Sequence, residues 1–287
     1  MNKVLVTGAC GYMGQWVVRE LLDQGYQVIA SDFVNRGVDA RAEFCDYPIF
    51  SGDADIYEKV GKPDALIHLA WRDGFVHNSA AHMQDLSLHV RFLNQMIDAG
   101  LPKLSVMGSM HEVGYWEGAI DANTPCKPMS QYGIAKNALR DSLLLYAKDK
   151  PTKVRWRRAY YIFGDDERGS SIFAKLVKAS KDGKTEFPFT TGKNKYDFIH
   201  IGQLAKQIAA ATAQDDYDGI INVCTGAPMT LAEKVEEFIL DNHLGIQLVY
   251  GAFPDRAYDS PGVWGDAQII KSIMSRGKKH DGGVDCE

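Results

Sequence analysis

The chain has 287 residues, enough to bury a full core in one large or two interlocked domains. Its 45% hydrophobic and 24% charged content is ordinary for a soluble globular protein, and a net charge of −5 argues against nucleic acid as a partner. No apolar run reaches the ~18 residues of a membrane span, so no membrane contact is expected.

Residues 1–7 enter a short buried strand directly, so no signal peptide is expected and the cytoplasm is the expected compartment. A glycine turn follows (Gly8, Gly11, Gly14), then a helix to about residue 22 with Trp16, Val17 and Leu21 inside, stopped by Gly25. Residues 26–31 form a second strand ending at Asp32, and 65–70, 103–107 and 154–162 are further strands. Strands alternating with helices predict a parallel, doubly wound α/β sheet of the Rossmann kind. Arg155, Arg157 and Arg158 read as a solvated edge before a strand.

Two predicted helices carry more apolar surface than one sheet face needs. In 83–99, Leu86, Val90, Leu93 and Ile97 make one stripe, and Leu88, Phe92 and Met96 another. In 133–148, Ala135, Leu139, Leu143 and Tyr146 make a stripe with Ile134, Ala138 and Leu145 beside it. The excess predicts a homodimer through a four-helix contact, or deep burial in one subunit. Later come a helix near 171–180, a short strand at 196–201, a helix at 203–214, and a capping box Thr230-Leu-Ala-Glu233 opening a helix to His243 that Gly245 ends. The tail after Ser275 is polar and reads as frayed.

The glycine turn lets a pyrophosphate approach a helix N-terminus, where free N–H groups and the helix dipole favour anions. Asp32 stands where an acid accepts hydrogen bonds from an adenosine ribose; its charge favours NAD(H), while Arg36 leaves NADP(H) open. Tyr132 and Lys136, four apart, share a helix face, so an ammonium stands near a phenol and favours its ionised form. Ser109, after the strand 103–107, is placed to polarise a carbonyl. Together these point to hydride transfer with a nicotinamide cofactor. His77 and His82 lack metal-ligand spacing and read as surface or substrate-rim residues; no metal site is predicted. The five cysteines show no redox or metal pattern.

From residue 3 to about 270 the chain resembles the extended short-chain dehydrogenase/reductase family, of the NAD-dependent epimerase/dehydratase type that modifies nucleotide sugars. The resemblance rests on Gly8-x-x-Gly11-x-x-Gly14, Gly52-Asp53, His68-Leu69-Ala70, Tyr132-x-x-x-Lys136, Asp197-Phe-Ile-His-Ile with Tyr196 where Arg is usual, and Asn222-Val-Cys-Thr-Gly226. It implies cofactor contacts at Gly8, Gly11, Tyr12, Met13, Gly14, Asp32, Asp53, Ala54, Leu69 and Ala70. It implies that Tyr132 moves a proton at the sugar oxygen, that Ser109 hydrogen-bonds that oxygen, and that Lys136 holds the nicotinamide ribose and lowers the Tyr132 pKa. His111 would be a further donor facing substrate, with Glu112 as an alternative that otherwise points to solvent, and sliding the motif by one would put Met110 in place of Ser109.

Trp71, Phe187 and Arg256 complete the implied substrate site, with Arg256 on the diphosphate and Phe187 over the base. The division expected is a dinucleotide-binding domain of 1–162, rejoined by 196–224, and a smaller substrate-binding part of 163–195 and 225–287. The leading expectation is C4 reduction of a nucleoside-diphosphate 4-keto-6-deoxy sugar. Alternatives are a nucleotide-sugar 4-epimerase that keeps its NAD bound, a uronate dehydrogenase suggested by Ser109-Met-His111-Glu-Val-Gly-Tyr115, and a non-catalytic dinucleotide sensor.

Overall fold

The computed structural model of the chain describes residues 1–164, 166–168, 171–255 and 259–280. In chain order the first half runs β1 (Lys3–Thr7), α1 (Tyr12–Asp23), β2 (Gln27–Ser31), β3 (Glu43–Cys45), α2 (Ile56–Lys59), β4 (Ala65–His68), α3 (Ala81–Asp98), β5 (Lys103–Ser109), a 3₁₀ turn (Met110–Glu112), β6 (Gly118–Ile120), α4 (Gln131–Ala147) and β7 (Lys153–Ala159). The second half runs β8 (Tyr161–Phe163), α5 (Ile172–Lys181), β9 (Glu186–Pro188), β10 (Lys195–Tyr196), β11 (Phe198–His200), α6 (Ile201–Ala213), β12 (Gly219–Val223), β13 (Met229–Thr230), α7 (Leu231–Asp241), β14 (Gln247–Val249), β15 (Gly262–Gly265) and α8 (Gln268–His280).

Seven parallel strands form the central sheet in the order β12-β7-β5-β4-β1-β2-β3. Alternate residues of β1 serve opposite cores, as a sheet covered on both faces requires. Val4 and Val6 join Val17 and Leu21 of α1 and Leu204 and Ile208 of α6. Leu5 joins Leu93 and Met96 of α3 and Leu139 and Leu143 of α4. A smaller four-stranded sheet, β13-β10-β15-β6, lies beside it, with β6 drawn from the first half of the chain. Two-stranded pairs, β8 with β11 and β9 with β14, complete the strand set among the described residues.

Several sequence expectations change. The stretch 154–162 is two strands, because the chain leaves the main sheet at Tyr160 and Tyr161–Phe163 pairs instead with β11. Arg155, Arg157 and Arg158 are not a solvated edge; all three lie buried in β7. Arg155 donates to the Tyr217 and Gln214 carbonyls, Arg157 to Thr212 Oγ1, and Arg158 to the Asp121 carbonyl. Burial pushes Arg157 down to about 9. The capping box forms as expected, but α7 ends at Asp241 with His243, not Gly245, in the left-handed conformation (φ 52°). His243 and Leu244 then donate to the Leu240 and Ile239 carbonyls and close the helix end. The segment after Ser275 stays helical to His280, and α8 packs on α6 and β12.

Candidate active site

The glycine turn is dictated by close approach. Gly8 has φ +70°, and a Cβ there would stand 2.7 Å from the Ala70 nitrogen; one at Gly14 would stand 2.1 Å from the Gly8 carbonyl oxygen. Gly11 caps α1 and brings no side chain to the first helical N–H groups, including those of Tyr12, Met13 and Gly14. The turn therefore offers an uncapped, electropositive helix end of the kind that favours anions. Asp32, at the end of β2, accepts from the Cys10 N–H at 2.9 Å and the Phe33 N–H at 2.8 Å. Each carboxylate oxygen keeps a second lone pair that a ribose hydroxyl can use. Leu69 and Ala70 follow β4 against this loop. Asp53, next to Ala54, is turned toward Tyr47 and Lys59, whose hydrogen bonds hold its carboxyl below the usual range.

Ser109 is the last residue of β5, and Tyr132 and Lys136 stand in the first turns of α4. Ser130 caps α4 by accepting from the Gly133 N–H, which fixes where the helix begins and hence where Tyr132 points. Ser109 lies near enough to the Tyr132 phenol to favour its ionised form, whereas Met110 lies in the core. Ser109, not Met110, is therefore the residue beside the phenol. Burial pushes the Tyr132 phenol up to about 12, partly opposed by Ser109. The expected lowering by Lys136 is not what the free protein has. Lys136 is itself buried, and desolvation pushes it down to about 7. Its Nζ donates to the Met107 carbonyl at 2.8 Å and lies 3.8 Å above the Trp71 ring.

The loop after β4 carries the largest departure from the sequence expectation. Trp71 lies stacked on His89 at 4.5 Å, and its Nε1 donates to His82 Nδ1 at 3.0 Å. His82 is buried, and its Nε2 donates to the Val76 carbonyl at 2.9 Å. His68 and His89 continue a buried chain from Thr7, with links of 2.8 Å each. Burial holds both imidazoles below their usual range, His89 to about 3. His82 is thus no surface residue, and His77, half-buried, packs against Tyr132 and His111. Trp71 meets Lys136 and the edge of Tyr132. One signal for part of this was available: Thr7 and His68 end neighbouring parallel strands and lie level.

Glu112 neither faces substrate nor points to solvent. It is fully buried, accepts from the Ser109 N–H at 2.7 Å and the Trp156 indole at 2.9 Å, and pairs with Arg140 at 2.9 Å. It closes a capping box with Ser109, so it holds the end of β5 in place. His111 lies in the same turn with its ring 6.0 Å from that of Tyr132, and burial pushes it down to about 4. Phe187, on β9, packs against the hydrophobic core, and Phe189 is buried in it. Arg256 lies outside the described residues.

A phenol beside a hydroxyl, with an amine one helical turn away and a glycine turn that opens a helix N-terminus, can exchange a proton with a carbinol oxygen while a nicotinamide exchanges the hydride. Comparison with known proteins agrees with that chemistry. Over 270 residues the chain is 42% identical to the dTDP-6-deoxy-L-talose 4-dehydrogenase (NAD(+)) of Aggregatibacter actinomycetemcomitans, covering 92% of this chain and 99% of that protein. A UDP-glucose 4-epimerase of Stenotrophomonas maltophila, solved with bound NAD and formylated UDP-arabinopyranose, superposes with a TM-score of 0.82 at 20% identity, covering 96% of this chain and 93% of that one. The UDP-glucose 4-epimerase of Thermotoga maritima, solved with UDP-glucose, gives 0.79 at 21% identity and covers 94% and 91%. At such identities these two structures speak to the fold. The family model for NAD dependent epimerase/dehydratase proteins matches residues 4–224, and the chain belongs to that family.

Proposed function

We propose that this protein is an NAD-dependent C4 oxidoreductase of a nucleoside-diphosphate 6-deoxy sugar, interconverting the C4 alcohol and the 4-keto sugar. The observation that carries the reading is the 42% identity, spanning nearly both chains, to a dehydrogenase of dTDP-6-deoxy-L-talose. The neighbouring Ser109 and Tyr132 side chains, with Lys136 one helical turn on, supply the acid–base machinery it needs. Bound NAD accepts or returns the hydride at carbon.

In oxidation Tyr132, ionised, takes the proton of the C4 hydroxyl while Ser109 hydrogen-bonds the same oxygen. In reduction the phenol gives that proton back. Burial keeps Tyr132 protonated well above neutral, so oxidation should speed up as pH rises from neutral while reduction holds until the phenol ionises. Lys136 stands to meet the nicotinamide ribose, and its charge there would favour the phenolate. Gly8, Gly11 and Gly14 receive the pyrophosphate and Asp32 the adenosine ribose. Asp32 repels a 2′-phosphate, so NAD(H) should bind more tightly than NADP(H), and comparison of the two dissociation constants by fluorescence checks this. Residues 163–195 and 225–287 supply the sugar-nucleotide side, with Arg256 on the diphosphate.

The test is to mix the protein with NAD⁺ and dTDP-6-deoxy-L-talose and follow reduced nicotinamide by absorbance and the 4-keto product by mass. Stoichiometric NADH with a sugar lighter by two hydrogens is the expected result. Interconversion of C4 epimers without NADH release would instead make it an epimerase. Activity on a free uronate would move the uronate reading ahead.

A further inference from the structure

We propose that His77 is a further substrate-binding residue, which with His111 holds the sugar hydroxyl next to the reacting carbon. The inference deepens the proposed function and rests on it.

The loop after β4 is fastened to the first turn of α4. The Tyr132 N–H donates to the His77 carbonyl at 2.9 Å and the Gln131 N–H to Asn78 Oδ1 at 3.2 Å. On its other side the Val76 carbonyl accepts from His82. These bonds satisfy helix donors that have no partner within the helix, so loop and catalytic helix keep one register. The His77 ring consequently lies nearly parallel to the Tyr132 ring (12°, 5.7 Å between centroids) and 4.4 Å from that of His111. The three rings form a triangle whose sides run from 4.4 to 6.0 Å.

Tyr132 and Ser109 mark where the reacting oxygen sits. In a pyranose the next hydroxyl is one carbon away, within reach of groups that flank the phenol. The candidates there are few. His82 has both ring nitrogens committed, Lys136 is turned to Trp71 and the Met107 carbonyl, and Glu112 is sealed against Arg140. Among the described residues neither ring nitrogen of His111 is hydrogen-bonded, although burial keeps the imidazole neutral near pH 7. A neutral imidazole offers one donor and one acceptor, which suits a hydroxyl. His77 is half-buried beside this pair, so a sugar held over Tyr132 lies within its reach.

The test pairs His77→Ala with removal of the hydroxyl from the sugar. Oxidation of dTDP-6-deoxy-L-talose and of its 3-deoxy analogue by NAD⁺ is measured for wild type, His77→Ala and His77→Asn. His77→Ala should lose about tenfold or more in kcat/KM on the first sugar and less than about twofold on the analogue. His77→Asn, which keeps a donor and an acceptor, should recover part of the loss. A merely structural role would lower both sugars by the same factor, and that result, or unchanged activity on both, overturns the proposal. Should His77→Ala melt early, His77→Asn compared across the two sugars separates the same two outcomes. A wild-type protein inert toward dTDP-6-deoxy-L-talose would sink the proposed function, and this inference with it. Equal losses in an active enzyme would sink this inference alone.

Discussion

Tyr132 and Lys136 form the pair that the sequence suggested, yet in the free protein neither has the proton affinity expected of it. The amine is fully enclosed without a carboxylate in contact, so burial outweighs the distant pull of Glu112. The phenol is enclosed by Trp71, His77, His82 and His111, and keeps its proton. Tyr132→Phe should nearly abolish turnover while leaving cofactor affinity close to wild type, as turnover assays and cofactor titration will check; single-turnover hydride transfer at a near-normal rate would disprove the assignment. Lys136 also predicts a pH dependence of stability. Its folded pKa, about 7, lies below the ordinary lysine value of 10.5, so the unfolded chain binds more protons between those values. The destabilisation is therefore greatest below about pH 7 and fades toward pH 10. Lys136→Met should raise Tm at pH 6 by an amount worth roughly a few kcal/mol, and the difference from wild type should shrink by pH 10. Tyr132 loses its contribution only above its unfolded value of 10.0, so thermal melts from pH 6 to 10 isolate the lysine.

At the scale of elements, the 3₁₀ turn after β5 is fixed by one buried acid. Glu112 ties the end of β5 to β7 through Trp156 and to α4 through Arg140. Glu112→Gln removes the buried charge that faces Arg140 at 2.9 Å and Arg158 at 3.5 Å, and leaves Arg140 only the exposed carboxylate of Asp141. It should destabilise the fold by about 3–5 kcal/mol, the scale for breaking a buried pair from one side. Denaturant unfolding measures this, and a loss below about 1 kcal/mol would mean that the pair is relieved by local rearrangement. The motif Met-His-Glu-Val-Gly-Tyr gave no way to know it. Solvent, substrate and a buried arginine are all suitable partners for a glutamate, and the arginine lies 28 residues away. The loop of His77 was equally opaque, because its place depends on which helix end donates to its carbonyl.

At the scale of the whole molecule, α3 and α4 pack on each other, and part of the apolar surface noted on them stays exposed. Leu145 is 75% exposed and Ile134 39%, on the outer face of α4. A second copy of the chain is our proposal for what covers them. Leu145→Arg should turn a dimer into a monomer in sedimentation at micromolar concentration, with little change in the monomer's own stability; a wild-type monomer would dispose of the idea.

Local rules determined the glycine turn, the alternation of strands and helices, the capping box at Thr230 and the Tyr132–Lys136 spacing, because each depends on residues a few positions apart. Only the tertiary structure decided that the three clustered arginines of β7 are interior, that Glu112 is sealed, and that three histidines surround the Tyr132 phenol. Those outcomes depend on what crosses above a given residue. A charged side chain reads as solvated until a carbonyl or carboxylate from a distant element is brought to it, and the chain's local pattern carries no record of that meeting.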